Sequence, residues 1–270
     1  MTASVADKRA RFRELHAREE LFVMPNPWDV GSARLLASLG FEALATTSAG
    51  FAWSLGRLDG QVTRDELVAH VAALAPATDM PLNVDSERCF PDDPGGVAET
   101  VRLLAEAGAS GCSIEDWNPA AGRIEDVGLA AERVAEAAEA AHGLASSMVL
   151  TGRAENHLHG VDDLDGTISR LLAYRDAGAD CVYAPGLTTL EQVSAVVEAV
   201  GVPVNVLALP AGPPIPELAS AGVRRVSTGS LPASAAYGAL AAAARELLGD
   251  GTSSYAAGRL PDADRQAAFG

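Results

Sequence analysis

From Leu21 to Leu248, short apolar runs alternate with longer stretches whose apolar residues recur at helical spacing, and the count comes to about eight strand-helix pairs. The runs Phe22 to Pro25, Ala43 to Thr46, Leu82 to Asp85, Gly111 to Glu115, Met148 to Thr151, Cys181 to Ala184, Pro203 to Val206 and Arg224 to Ser227 predict the strands. Between them, Val30 to Ser38, Arg64 to Leu74, Val97 to Ala107, Leu129 to Ala141, Leu164 to Ala177, Leu190 to Ala199 and Ala233 to Leu248 predict helices. Leu39-Gly40-Phe41, Ala107-Gly108-Ala109, Ala177-Gly178-Ala179 and Ala221-Gly222-Val223 each place a glycine where a helix ends and a left-handed backbone turns the chain into the next strand. This α/β regularity predicts a TIM-type (β/α)8 barrel. A doubly wound open sheet is the rival arrangement, but Pro25-Asn26-Pro27-Trp28 stands where that fold needs a Gly-rich turn.

The length of 270 residues suits one such barrel, which typically takes about 250. A single domain over residues 1–270 is expected, with the barrel at about 21–248 and a loosely held tail at 249–270, rich in Gly, Ser, Ala and Asp. The formal charge of -16 argues against nucleic acid as a partner, and any anionic substrate then needs local positive charge. Cys89, Cys112 and Cys181 cannot form a closed disulfide set, which points to a reducing compartment. Met1 to Glu20 is charged and lacks a signal-type apolar core, and no apolar run approaches the roughly 18 residues of a membrane span; a cytoplasmic protein without a membrane partner is expected.

In a parallel barrel the reacting groups come from the C-terminal ends of the strands. There the sequence gathers acids: Asp85 and Glu87 after the third strand, Glu115 and Asp116 after the fourth, with Arg153 closing the fifth. All-oxygen ligands with no Cys or His pair nearby point to a hard cation, Mg²⁺ by default and Mn²⁺ as the substitute. Alternation along a strand puts Asp85 and Glu87 on one face, and Asp85 is the expected direct ligand, since Mg²⁺ takes one or two carboxylates and reaches others through water. The competing reading makes Glu87 and Asp116 solvated loop acids and pairs Arg153 structurally with Glu155 or Glu115. His157 and His159 fall on a surface loop with no assignable acid partner, while His16, His70 and His142 lie in helical patterns and carry no functional signal. The small Thr47-Ser48-Ala49-Gly50 turn offers backbone N–H groups that can approach a carboxylate.

Jointly, Pro25-Asn26-Pro27-Trp28-Asp29, Thr46-Thr47-Ser48-Ala49-Gly50, Leu55-Gly56-Arg57-Leu58-Asp59-Gly60, Val84-Asp85-Ser86-Glu87, Ile114-Glu115-Asp116, Gly152-Arg153-Ala154-Glu155 and Pro203-Val204-Asn205 resemble the isocitrate lyase and phosphoenolpyruvate mutase superfamily over nearly the whole barrel. The resemblance implies an Mg²⁺-dependent barrel acting on small 2-oxo or 2-hydroxy acids, a homo-oligomer (tetramer or dimer) with its last helix exchanged between subunits. It implies Asp85, Glu87 and Glu115 as the metal-site acids, Asp59 as the acid that orders the site through metal-bound water, and Arg153 as the substrate clamp. Ser48, Ala49 and Gly50 become the carboxylate cradle, and Trp28 and Asn205 the pocket walls.

The departures narrow the expectation. Lyases of this superfamily carry a Lys-Lys-Cys-Gly-His loop after the fourth strand, but here Trp117-Asn118-Pro119-Ala120-Ala121-Gly122-Arg123-Ile124-Glu125-Asp126 holds no cysteine. Asn118 alone does not make the mutase pattern. The sixth strand ends in Tyr183-Ala184-Pro185-Gly186, where lyases have a glutamate, and the seventh runs Asn205-Val206-Leu207-Ala208-Leu209-Pro210, so a smaller or less charged substrate is expected. The sequence therefore predicts a carbon-carbon lyase acting through an enolate. The alternatives are a hydrolase or decarboxylase of an oxaloacetate-like or phosphonopyruvate-like acid, and a barrel that binds such a metabolite without turning it over.

Overall fold

The computed structural model describes residues 3–270. Ten strands occur in it: β1 Phe22–Met24, β2 Leu44–Ala45, β3 Leu82–Asp85, β4 Gly111–Glu115, β5 Trp117–Asn118, β6 Arg123–Ile124, β7 Val149–Arg153, β8 Cys181–Tyr183, β9 Val204–Leu207 and β10 Arg225–Ser227. Eight pair in the order β1-β10-β9-β8-β7-β4-β3-β2, while β5 and β6 form a separate hairpin. Every pairing in the large sheet is parallel. The Ala45 N–H donates to the Pro25 carbonyl at 3.0 Å, joining the two ends of the sheet and drawing it into a barrel. All eight expected strands are present.

The helices are α1 Val5–Ala17, α2 Val30–Ser38, α3 Ser48–Ser54, α4 Arg64–Leu74, α5 Gly96–Glu106, α6 Val127–His142, α7 Leu164–Asp176, α8 Leu190–Val200, α9 Ile215–Ser220, α10 Leu231–Gly249 and α11 Asp262–Phe269. Their starts are written in capping residues: Thr63 with Glu66 on α4 and Thr189 with Gln192 on α8 form reciprocal boxes that satisfy otherwise unpaired N–H groups. Their ends use the predicted glycines, as at Gly108 (φ 101°) and Gly178 (φ 105°).

Alternation along the strands separates two environments. Val84, Cys112, Ile114, Leu150, Val182, Val206 and Val226 are buried in the main apolar core with helix residues such as Val101, Leu104, Val134 and Val196. The intervening residues face the barrel interior, and many are polar: Asn83, Ser113, Thr151, Asn205 and Arg225 are all buried. A parallel barrel is ordinarily filled with branched apolar side chains. This one sets polar groups beneath its C-terminal mouth.

The charged N-terminal stretch folds into α1, whose Phe12 and Leu15 join Phe22, Met24, Ala43, Ala45 and Val149 in a second, smaller core. Lys8 Nζ donates to the Ala75 and Thr78 carbonyls, and Arg9 to those of Ala105, Ala109 and Ser146, fastening the helix to the barrel. Gly111 is required there, since a Cβ would come within 2.7 Å of Phe12. At the other terminus, the stretch expected to be loose carries α11, which packs against α2. By contrast α10 buries only Ala233 and exposes Tyr237, Leu240, Leu247 and Leu248. Among the described residues no helix is long and apolar enough to cross a membrane.

Candidate active site

Register alone sets up a polar row across the barrel, because Glu115 pairs with Arg153, Arg153 with Tyr183, Tyr183 with Asn205, and Asn205 with Arg225. A cavity of about 290 Å³ opens over this row at the C-terminal strand ends, lined on one side by Ser48, Ala49, Asp59, Asn83, Asp85 and Arg153.

Arg153 is the centre of the charged side. Its Nη1 donates to Asp85 Oδ1 at 2.5 Å and its Nε to Glu155 Oε1 at 2.9 Å, while Nη2 lies 3.1 Å from Glu115 Oε2. Burial opposes its charge, but Glu155, Asp85 and Glu115 outweigh it and hold the guanidinium protonated. Each Nη carries two N–H groups, so Nη1 keeps one for a ligand. The other Asp85 oxygen accepts from the Ser48 N–H at 3.1 Å, and the Asp85 N–H donates to Thr46 Oγ1.

The expected residues divide clearly. Asp85, Glu115 and Arg153 converge, and Asp59 joins Asp85 on the cavity wall. Asp59 is exposed as a residue, yet its carboxyl is raised above the usual range by partial burial and by Asp85, with a Ser48 hydrogen bond opposing. Glu115 lies behind Arg153, and burial holds its carboxyl well above the usual range despite Arg153. Glu87 does not share a strand face with Asp85: β3 ends at Asp85, and Glu87 sits in the following turn with φ 49°. Burial and the charges of Asp85 and Asp59 push Glu87 up to about 7.

Part of the proposed cradle is already spent. Thr47 caps α3 by accepting from the Gly50 N–H, so Gly50 has no free donor for a carboxylate; Ser48 and Ala49 line the cavity and Gly50 does not. Trp28 is likewise absent from the cavity wall, packing beside Gly50, where an added Cβ would come 3.1 Å from its own. Asn205 does line the cavity, with its amide held by Ser227 Oγ at 2.9 Å and by Arg225 Nε at 2.9 Å. Asp116 is no solvated loop acid: it is 1% exposed and accepts from Tyr174, Arg170 and the Glu155 N–H.

Among the described residues, no three His, Cys, Asp or Glu side chains converge as a ready-made ligand set, because Arg153 lies between Asp85 and Glu115 and Glu87 has left the strand. The donor chemistry still fits a hydrated hard ion. Three carboxylates, Asp85, Glu115 and Glu155, contact one guanidinium, with Asp59 on the same cavity wall and Glu87 near enough to feel Asp85 and Asp59, so acids outnumber the cation. An ion that takes one direct carboxylate and meets another through water suits this arrangement.

The phosphoenolpyruvate phosphomutase family model matches residues 12–248. The chain belongs to that family. A crystal structure of a Burkholderia cenocepacia protein, assigned provisionally as a lyase/mutase, superposes with a TM-score of 0.92 at 49% identity, covering 97% of this chain and 95% of that one. An uncharacterized Mycobacterium tuberculosis protein is 37% identical over 238 residues, 87% of this chain and 88% of its own. The oxaloacetate decarboxylase of Paraburkholderia xenovorans is 33% identical over 216 residues, 75% of this chain and 69% of its own. Family membership places the protein in the phosphoenolpyruvate mutase and isocitrate lyase superfamily, whose members act on small acids.

Within this family fold, the segment after β4 is the short β5–β6 hairpin, and it is tied down. Glu125 accepts from Arg88 at 2.6 Å, from Asn118 Nδ2 at 2.9 Å and from Arg133, while its carbonyl accepts from Arg170 at 2.9 Å. Trp117 stacks on His159 at 3.5 Å, so that histidine serves as a platform joining two loops.

Sequence reasoning missed Arg225 and Asn83, and placed Asn26 at the end of the first strand without giving it a task. The Asn26 Oδ1 accepts from the Thr228 and Gly229 N–H groups and its amide donates to the Thr46 carbonyl, stapling three strand ends together. Only the presence of polar residues inside apolar strand runs could have signalled Asn83 and Arg225.

Proposed function

We propose that this protein is an Mg²⁺-dependent enzyme, with Mn²⁺ as a possible substitute, that cleaves a carbon-carbon bond in a small 2-oxo or 2-hydroxy acid through an enolate. The observation that carries the reading is the convergence of Asp85 and Arg153 on one cavity wall with Asp59 beside them. Asp85 would hold the ion directly, with Asp59 reached through water and Glu87 and Glu115 adding negative charge from outside the cavity wall. Once bound, the ion supplies Lewis-acid stabilisation of negative charge on the substrate oxygen.

The chain's own residues then have distinct tasks. Arg153, fixed in place by Glu155 and Glu115, donates its remaining Nη1 N–H to the oxygen on which charge develops, an effect of roughly 2.7–4 kcal/mol per well-placed donor. Ala49 presents a backbone N–H to the substrate carboxylate. Tyr183, which lines the cavity and is kept protonated by burial, can hold the departing fragment with a hydrogen bond from its hydroxyl, while solvent water supplies the proton that a loop thiol would otherwise give.

The likeness to an oxaloacetate decarboxylase favours one second reading, loss of CO₂ from an oxaloacetate-like acid, which uses the same enolate. Steady-state assays over a panel of 2-oxo and 2-hydroxy acids, with CO₂ and 2-oxo-acid release followed in parallel, separate the two. No turnover of any acid, together with no calorimetric signal for Mg²⁺ and oxalate, would sink both. We also propose a homo-oligomer, tetramer or dimer, built on exchange of α10, supported by the exposed Tyr237, Leu240, Leu247 and Leu248. Sedimentation showing a monomer at working concentration would overturn it.

A further inference from the structure

The two sides of the cavity differ in kind. Over β2, β3 and β7 the wall is charged and hydrogen-bonding, with Ser48, Asp59, Asp85 and Arg153. Across the mouth, over β8 to β10, Leu158, Pro185, Leu207, Leu209 and Leu231, contributed by separate segments from the loop after β7 to the start of α10, share the wall with the uncharged Tyr183, Asn205, Ser227, Thr228 and Ser230. Pro185 is buried and Leu207 and Leu209 are half-buried, but Leu158 is 51% and Leu231 39% exposed, so apolar surface faces the opening.

We propose that this arc is the specificity wall for the substrate's far end, and that the far end is an uncharged alkyl group. The inference rests on the reading above, in which the 2-oxo or 2-hydroxy acid head sits against Asp85 and Arg153. A second carboxylate directed at the arc would lose water without gaining a cation, since an ionised group is costly to desolvate unless paired. The charged residues lining the cavity are Asp59, Asp85, Arg153 and Arg225. Two of these are acids, and Arg153 is held by three carboxylates with its one remaining Nη1 N–H assigned to the head of the substrate. Arg225 is 1% exposed, and its nitrogens are held by Asn205, His16 and Thr151. An alkyl chain of a few carbons meets the arc favourably by covering Leu158, Leu209 and Leu231. The cavity of about 290 Å³ limits that chain to a short one.

The test is calorimetric competition in the presence of Mg²⁺ among three probes: oxalate, which is head alone; 2-oxohexanoate, with an apolar end; and 2-oxoglutarate, with a carboxylate of similar reach. The expected result is that 2-oxohexanoate binds at least about tenfold more tightly than 2-oxoglutarate. Leu158→Arg, at an exposed position, is expected to narrow or invert that ratio by supplying the missing cation. The ratio reports on the far wall even if the variant lowers both affinities. Equal or tighter binding of 2-oxoglutarate while oxalate binds would overturn this inference and leave the proposed function standing. Failure of all three probes, oxalate included, would overturn both.

Discussion

Arg153 Nη1 lies 2.5 Å from Asp85 Oδ1, so the expected metal ligand and the expected substrate clamp are bonded to each other. The pair sits in a site where Glu115 and Glu155 also face the guanidinium, and removing the cation leaves three carboxylates without a partner. Arg153→Met is therefore expected to destabilise the fold by about 3–5 kcal/mol, the cost of breaking a buried ion pair. Arg153→Lys keeps the charge but loses the planar fork, and should recover stability better than it recovers rate, with kcat still down on the order of 10²-fold. Urea denaturation and steady-state kinetics on both variants check this. Undiminished turnover by either would remove Arg153 from the chemistry.

Tyr174 supports that centre from below. Its hydroxyl donates to Asp116 Oδ2 at 2.5 Å, and the other Asp116 oxygen accepts the N–H of Glu155, the residue that holds Arg153. Tyr174→Phe removes a hydrogen bond to a buried ionised group, worth about 1.5–3 kcal/mol. The expected outcome is a lower urea midpoint with an unchanged m-value, and a kcat loss smaller than that of Arg153→Lys. A larger kcat loss than Arg153→Lys would mean that Tyr174 acts other than through Asp116.

The barrel was legible because most strands are short apolar runs preceded by a helix that ends in Gly, as at Gly108 and Gly178, and such punctuation survives without tertiary information. The cluster of Asp85, Glu115 and Arg153 was legible for a related reason: strand ends in a parallel barrel share one mouth. Glu87 was not, since alternation holds only while the strand continues and β3 stops at Asp85. Gly50 misled because a small-residue turn reads alike whether its N–H groups await a ligand or, as here, serve a Thr47 cap. Arg225 and His16 were invisible for a deeper reason. Arg224 and Arg225 are neighbours, and nothing local says that Arg225 faces inward to meet a histidine 209 residues away in sequence.

The hairpin after β4 should be a fixed element and not a swinging cover. Burial alone would raise the Glu125 carboxyl, but Arg133 and Arg88 outweigh it and hold the group below the usual range. Glu125→Ala leaves Arg88, Arg133 and Asn118 without their shared acceptor. Hydrogen exchange is expected to accelerate across residues 117–126 in this variant while β7 and β8 keep their protection. Rapid exchange of the same segment in the unaltered protein would show that the anchors do not hold it.

Acid should weaken the fold through two neutral histidines. In His16, Nδ1 lies 2.7 Å from the Phe12 carbonyl and Nε2 lies 3.1 Å from Arg225 Nη1, so a neutral ring donates from the first nitrogen and accepts at the second. Burial and Arg225 hold its pKa down to about 3 from 6.5, and burial holds His70, stacked on Phe51, down to about 4. Because both folded values lie below the unfolded one, the unfolded chain binds more protons between them. Stability is therefore fully present above about pH 6.5 and falls as pH drops toward 4 and then 3. Well inside that window each histidine contributes up to about 1.4 kcal/mol per pH unit. Urea denaturation across pH 7 to 4.5 should show this slope, roughly, over the range that the folded protein tolerates. His16→Gln should remove its share of the slope even if the variant is less stable throughout, since glutamine has no proton to gain. An unchanged slope would mean that His16 already titrates in the folded protein, and the hydrogen bond from Arg225 to a neutral ring could not then be the link between α1 and the floor of the site.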